Sequence, residues 1–169
     1  MKIFLTLAVV VGLLSLPLLA QDSPKAEIFG GYQFVHSEGE NLNGWNASLT
    51  GNFNKVFGVT ADFGGAYKTI DGVDFKVYTY TGGPVVNLNH DGIVNPFVHA
   101  LAGGAHFVGS ASGASASLNG FTMMYGGGAD VKMSKLVAVR GQVDWVYYHV
   151  SGSSSSKNVR LSTGIVLRF

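Results

Sequence analysis

Seven ionisable side chains stand out because they occur in segments that otherwise carry few charges. Arg140 and Asp144 are four residues apart in a segment that alternates apolar and polar residues, so a strand would place both on one face. Acids and bases paired in this way can transfer protons in an enzyme, or they can neutralise one another inside a protein. The set comprises three arginines and four carboxylates: Glu27, Asp62, Asp130, Arg140, Asp144, Arg160 and Arg168.

A histidine and a serine raise a second chemical possibility. His149 and Ser151 are two residues apart, which places a base and a hydroxyl nucleophile on the same face of a strand. Such a pair also needs an acid that orients the histidine, and no Asp or Glu follows Asp144 in the sequence. An interfacial histidine before a serine-rich loop is the favoured interpretation, so we predict no catalytic residue.

The other polar residues form no pattern typical of a cofactor or metal site. The five histidines lack paired ligand spacing, and the chain has no cysteine. The glycine-rich segment 126–130 is not a dinucleotide fingerprint, because no helical pattern follows it. The formal net charge is +1 with no basic run, which argues against nucleic acid as a partner. We predict no cofactor and no metal.

The N-terminus has the pattern of a secretory signal peptide. Lys2 precedes a long apolar run, and Ala20 stands before the polar sequence QDSP. We predict that residues 1–20 are removed and that residues 21–169 form one domain. A retained N-terminal membrane helix is the alternative.

The rest of the chain alternates with the period of two that strands show. We predict strands at 25–35, 45–53, 56–68, 75–86, 93–107, 121–131, 136–150 and 158–169. Strands of about ten residues, tilted by roughly 45°, cross a bilayer core. The loops HSEGENLNG, TIDGVD, VGSASGASASLNG and SGSSSSK alternate with short turns. This pattern favours an all-β, eight-stranded antiparallel up-and-down transmembrane barrel, whose even strand number allows closure.

Two observations indicate that the apolar face of each strand points outward into a membrane. Charged residues make up 12% of the chain, against about 25% in typical proteins. Aromatic residues on the apolar face gather near both strand ends, as in the interfacial girdles of outer-membrane barrels. The predicted girdle contains Tyr32, Trp45, Phe53, Phe57, Tyr67, Trp145, Tyr147 and Phe169. The seven charged residues then form a polar network in the lumen; a soluble barrel with these charges on its wet outer surface is the alternative.

The fourth and fifth strands alternate less clearly. Tyr78 and Tyr80 point outward in the favoured interpretation, with the threonine between them inward. Strict alternation places His99 and His106 on opposite faces of the strand. Either one of them faces lipid near an interface or a bulge intervenes. We place His99 in the lumen.

The chain resembles the small outer-membrane β-barrels of the OmpA/OmpX-like superfamily, over the barrel domain only. The likeness rests on the leader, the GGY of the first strand, the alternation, and the ending RLSTGIVLRF. The resemblance implies a monomer in the bacterial outer membrane, in contact with lipid and lipopolysaccharide. It also implies recognition by the barrel-assembly machinery through a C-terminal signal made of Leu161, Ile165, Leu167 and Phe169.

The predicted function is a structural or surface-interaction role without enzymatic activity. The loops are rich in Gly, Ser, Ala and Asn and poor in the residues that usually form binding hot spots. A narrow small-solute pore is one alternative, although eight strands leave little lumen. A lipid A-modifying enzyme is another, since outer-membrane lipid A deacylases are similar barrels with a His-x-Ser pair.

Overall fold

The fold is a closed antiparallel barrel of eight strands, as predicted. The computed structural model describes residues 24–37, 39–70, 73–89, 91–111, 114–150 and 152–169, so the predicted leader lies outside the described residues. Each strand pairs with its neighbours in sequence, and the last strand pairs with the first. The strands are β1 (Ala26–Ser37), β2 (Glu40–Asn52), β3 (Phe57–Ile70), β4 (Val73–Asn87), β5 (Val94–Ala111), β6 (Ala114–Lys132), β7 (Val137–Val150) and β8 (Ser153–Arg168).

The two ends of the chain close the barrel. The Ala26 amide donates to the Phe169 carbonyl at 3.2 Å, and the Phe169 amide donates to the Ala26 carbonyl at 2.8 Å. Closure pairs the backbone groups that an open sheet would leave free at its edges, which is a requirement inside a bilayer. No helix in the described part of the chain is long and apolar enough to span a membrane.

Side chains alternate between the lumen and the outer surface along every strand. In β2, Asn46 and Ser48 are buried at 1% and 8% exposure, whereas Trp45 and Leu49 are about half exposed on the outside. The same alternation runs through β7, where Asp144 is buried and Val143 faces outward. The barrel therefore has apolar residues on its exterior and polar residues within, the reverse of a soluble protein.

We call the end of the barrel away from the chain termini the outer end. The prediction of long loops at this end is wrong for most of these segments. The β1–β2 ladder continues to the pair Ser37–Glu40, the β5–β6 ladder to Ala111–Ala114, and the β7–β8 ladder to Val150–Ser153. Gly39 and Gly152 have φ angles of 89° and 84°, which permit tight turns there. These segments are rich in Gly, Ala and Ser, which are small and differ little in polarity. Their strands therefore show no alternation of apolar and polar residues in the sequence. At the opposite end of the barrel, each predicted boundary differs from the structure by one residue.

The structure also resolves the facing of β4 and β5. Tyr80 is exposed on the outside, and Thr79 is buried within. His99 lies in the lumen and His106 on the exterior, with continuous register in the β5–β6 ladder between them. No bulge is needed to explain the two histidines. The irregularity in pairing lies instead between β7 and β8, at Val146 and Tyr148.

The lumen is less uniformly polar than expected. A cluster of Leu101, Ala105, Met124, Val146 and Tyr148 fills its outer part, and a second cluster of Phe29, Ala138 and Val166 lies near the chain termini. Charged residues therefore lie close to apolar clusters, in surroundings that make unpaired charges costly.

Candidate functional site

Arg140 organises the ion pairs nearest to the chain termini. It projects from β7 directly opposite Asp130 of β6, and its Nε and Nη2 atoms donate to the two carboxylate oxygens at 2.6 and 2.7 Å. Its Nη2 also donates to Glu27 of β1 at 3.2 Å. The guanidinium carbon lies 4.5 Å from the ring centroid of Phe97, which adds a cation–π contact. Arg168 is 3.4 Å from the other oxygen of Glu27.

Arg160 organises the ion pairs in the middle of the lumen. It projects from β8 opposite Asp144 of β7, to which its Nε donates at 2.9 Å. Its Nη1 donates to Asp62 of β3 at 2.6 Å, so the side chain reaches across the bore past β1 and β2. His99 and Gln142 also bond Asp144, at 2.6 and 3.1 Å. Five polar side chains from four strands, β3, β5, β7 and β8, therefore meet at one level of the barrel.

The structure brings all seven charged residues of the predicted network into the lumen. None is more than 6% exposed, and each contacts at least one partner of opposite charge. Sequence reasoning missed the neutral residues that complete the network. Asn46 donates to Asp62 at 3.0 Å, and Gln142 supports Asp144. The alternation places both side chains on the lumen face, and this was a usable signal. Amides that face the lumen beside carboxylates supply the donors that buried acids need.

A chain of hydrogen-bonded asparagines lines the lumen near the short turns. Asn95 donates to Asn87 at 3.1 Å, Asn87 donates to Asn52 at 3.3 Å, and Asn52 donates to the Pro24 carbonyl at 3.1 Å. Each residue is close to the short-turn end of its strand. Asn95 is directly opposite Asp130 in the β5–β6 ladder, so these amides lie beside the ion pairs of Arg140.

A small cavity lies in the outer part of the lumen, above Arg160. Its volume is about 40 Å³, and its lining includes Gln33, Phe107, Met124 and Tyr148. The Oε1 atom of Gln33 is buried without a protein hydrogen-bond partner. A site of this size and polarity accommodates about two or three waters but no larger solute.

The predicted girdle residues lie on the outer surface of the barrel. Seven are exposed and Tyr147 is partly buried. The indole of Trp45 donates to the Tyr67 hydroxyl at 3.0 Å, and Trp145 stacks on Tyr125 with ring centroids 6.3 Å apart. The four residues of the predicted C-terminal signal, Leu161, Ile165, Leu167 and Phe169, are also exposed on the exterior.

The histidine considered as a catalytic base bonds a different serine. Ser151 lies outside the described residues, but Nδ1 of His149 is 2.8 Å from the Ser154 hydroxyl, to which Tyr147 also donates at 2.7 Å. Among the described residues, no carboxylate is bonded to His149, so the orienting acid of a triad is lacking. The described residues also contain no cluster of three potential metal ligands.

This geometry defines a class of protein: a small barrel with an apolar exterior, aromatic residues at both rims and ion pairs across its lumen. The family model for the outer membrane protein beta-barrel domain matches residues 6–169. The chain therefore belongs to that family of outer-membrane barrels. No match is found among curated protein sequences.

Solved structures of bacterial outer-membrane proteins share the fold at low sequence identity. Neisserial surface protein A is 14% identical with a TM-score of 0.69, and the match covers 85% of this chain and 96% of that one. Ail, the attachment invasion locus protein of Yersinia pestis, is 23% identical with a TM-score of 0.62, covering 87% and 99%. The N-terminal barrel of Pseudomonas aeruginosa OprF is 11% identical with a TM-score of 0.62, covering 87% and 99%.

Proposed function

We propose that this protein is a monomeric, non-enzymatic outer-membrane barrel that is closed to solutes and acts through its extracellular hairpins. The observation that carries the proposal is the Arg160 side chain, which crosses the bore to pair with Asp62 and Asp144. Function then belongs to the surface that such a closed scaffold holds outside the cell.

The ion pairs in the lumen argue against the alternative of a narrow pore. A permeating solute would have to displace the ion pairs of Arg160 and Arg140 and the asparagines beside them. Breaking one buried pair costs about 3–5 kcal/mol when a charge is left without its partner. Thermal fluctuations at that cost open the bore only rarely.

The exterior supports a permanent place in the outer membrane. The outward apolar band between the aromatic rims would contact lipid, and the hydroxyl and indole groups of Tyr32, Trp45 and Trp145 suit the interface with lipopolysaccharide. The outward Leu161, Ile165, Leu167 and Phe169 would be read by the assembly machinery before closure, when the edge of β8 is free.

The enzymatic alternative has little support beyond a hydrogen bond. His149 and Ser154 are suitably close, but a serine nucleophile also needs an oriented base and a site for the oxyanion. Neither is evident around Ser154 in the described residues. The pair is better explained as hydrogen bonding that ties β7 to β8 at the outer rim.

The surface charge gives no support for a sulfated ligand. Ail has been crystallised with the heparin analogue sucrose octasulfate. At the corresponding end of this barrel, Lys68 is paired with Glu40, and the remaining described lysines, Lys76 and Lys157, are on well-separated strands.

Planar-bilayer conductance tests the closed state. We expect the purified wild-type barrel to give no stable channels, and Arg160→Ala to give brief openings, because the bridge across the bore is removed. Lys157→Ala is the matched control outside the lumen. Stable channels in the wild-type protein would replace this proposal with the pore.

Cysteine labelling tests which end is outside, and the absence of native cysteine makes the experiment clean. A membrane-impermeant maleimide should label Ser117→Cys in intact cells. It should label Lys135→Cys, on a short turn, only after the outer membrane is permeabilised. Labelling of Lys135→Cys in intact cells would contradict the orientation.

A further inference from the structure

Four residues at the short-turn end continue the ladders by one pair before β1, β3, β5 and β7 begin. They are Lys25, Val56, Ile93 and Leu136, whose carbonyls accept hydrogen bonds from the amides of Asn52, Asn87, Lys132 and Arg168 at 2.8, 2.7, 2.8 and 2.9 Å. Residues directly opposite in an antiparallel ladder point to the same face of the sheet. Asn87 and Arg168 face the lumen, so the four residues also lie on the lumen side. We call these four residues the mouth ring.

The three apolar residues of the mouth ring are exposed although they lie on the lumen side. Val56, Ile93 and Leu136 are 44%, 72% and 56% exposed. Two positions further into the lumen, Asn95 of β5 and Ala138 of β7 are both fully buried at 0% exposure. The filled lumen therefore ends directly behind the mouth ring, and these apolar side chains stand at the opening of the barrel.

Lipid does not explain the apolar character of the mouth ring. The same turns each carry a second apolar residue on the outer face, and these residues are Phe53, Leu88 and Met133, at 77%, 64% and 69% exposure. They continue the outward-facing positions of β2, β4 and β6, so the membrane interface accounts for them. The mouth ring lies on the other face, across the barrel wall from the lipid. Apolar side chains grouped on a water-facing surface often mark a binding site.

The mouth of the barrel is basic as well as apolar. Lys25 belongs to the mouth ring, and Lys132 and Arg168 are the ladder partners of Ile93 and Leu136. No carboxylate occupies any of the eight positions formed by the mouth ring and its ladder partners. A ligand that complements this surface therefore carries acidic groups beside apolar ones.

Two carboxylates near the mouth are already bound to other bases. Glu27 accepts a hydrogen bond from Arg140 at 3.2 Å and lies 3.4 Å from Arg168, whose buried Nε has no hydrogen-bond partner. Asp91, in the β4–β5 turn, pairs with Lys55 at 3.1 Å. The mouth therefore offers positive charge to an acidic ligand.

We propose that the mouth ring binds a segment of a periplasmic protein that presents apolar side chains beside carboxylates. The apolar side chains cover Val56, Ile93 and Leu136, and the carboxylates approach Lys25 and the bases behind the ring. A lipid acyl chain fits less well, because it needs depth and the lumen behind the mouth ring is filled. A cell-wall glycan strand would leave the apolar residues uncovered. The inference rests on the proposed orientation of the barrel, and it adds a second surface to the proposed extracellular one.

Peptide binding to the barrel in lipid nanodiscs tests the proposal, because nanodiscs leave both ends of the barrel accessible. The probe is a labelled, end-capped octapeptide of alternating leucine and glutamate, and its control has lysine in place of glutamate. We expect fluorescence anisotropy to detect binding of the acidic peptide only, after subtraction of the signal from empty nanodiscs.

Variants of one turn separate the mouth ring from the lipid-facing surface. Leu136→Glu should weaken binding of the acidic peptide about tenfold or more, because it removes an apolar contact and repels the carboxylates. Met133→Glu, on the lipid side of the same turn, and Leu136→Met should leave binding unchanged. The heat-modifiable band on gels shows whether each variant is folded, and Ile93→Glu supplies the same test if Leu136→Glu does not fold.

Site-specific labels distinguish lipid from protein as the occupant of the mouth ring. A bimane label attached to Leu136→Cys should be quenched by aqueous iodide, and the acidic peptide should protect it. The same label on Met133→Cys should be quenched by brominated lipid. Quenching of the Leu136→Cys label by brominated lipid, absence of acidic-peptide binding, equal binding of the lysine peptide, or equal binding to Leu136→Glu and the wild type would overturn the proposal.

The orientation of the barrel is tested separately by the labelling of Lys135→Cys in cells. Labelling of that variant in intact cells would overturn the orientation and, with it, a periplasmic partner. Absence of peptide binding alone would overturn only the mouth ring as a binding surface, because it leaves the orientation and the closed lumen intact. The two failures are therefore distinguishable.

Discussion

Replacing Arg160 with methionine tests whether the lumen network stabilises the fold. The substitution keeps most of the side-chain volume and removes the charge that pairs with Asp62 and Asp144, which are 2% and 0% exposed. Removing one partner of a buried pair costs about 3–5 kcal/mol. The substitution leaves two carboxylates without their arginine partner. Asp144 still has its hydrogen bond with His99, and Asp62 still accepts one from Asn46. We therefore expect a loss of about 3–4 kcal/mol, within that range.

The assay is urea unfolding of the barrel in lipid vesicles, followed by tryptophan fluorescence and by the heat-dependent shift on gels. Lys157→Met is the matched control, because Lys157 is exposed and the change should stay within about 0.5 kcal/mol. A loss for Arg160→Met as small as that of the control would refute a stabilising role for the network.

A double-mutant cycle separates the ion pair from other effects of the substitution. Asp62→Asn removes the opposing charge while keeping its shape. If the two residues interact as their 2.6 Å contact indicates, the double variant should lose less stability than the sum of the single variants, by about 1–3 kcal/mol. Strict additivity would show that the contact contributes nothing.

Three further predictions concern packing and assembly. Met124→Ala should cost about 2–5 kcal/mol because it leaves a cavity in the lumen, and Met123→Ala, on the exterior of the same strand, should cost less in the same urea titration. Gly164→Ala should abolish the heat-modifiable folded band, because its new methyl would lie 2.2 Å from a backbone oxygen of β1, whereas Gly141→Ala, with open space around it, should retain that band. Phe169→Ala should lower the amount assembled in the outer membrane of cells, measured by fractionation, if the C-terminal signal is read as the resemblance implies. Normal assembly of that variant would remove Phe169 from the signal.

The wall of the barrel could be predicted because its outer face is suited to lipid and its inner face to polar groups. An outward asparagine would face lipid, and an inward tryptophan would overfill the bore, so segments such as 45–53 alternate almost without exception. The ion pairs followed from the same constraint, because charges confined to a narrow lumen require partners. Which acid pairs with which arginine depends on register and side-chain reach, and the path of Arg160 across to β3 has no sequence signal.

The apolar layers inside the lumen were not predicted because inward apolar residues blur the alternation. In β7, Val146 and Tyr148 are buried while Trp145 is exposed, so three bulky residues near one another look alike in sequence. The same holds for Leu101 of β5. The interior can be filled by any side chain of suitable volume, and volume is not a periodic property.

The outer hairpins escaped prediction for a physical reason. Residues 114–120 can pair as a strand without any distinction between their faces, because small polar and small apolar side chains are tolerated equally in water. The absence of a pattern was taken for a loop, although a backbone hydrogen-bond ladder requires no difference between the two faces of a strand. The alternation that identifies the membrane-spanning wall is therefore lost where both faces of the wall meet water.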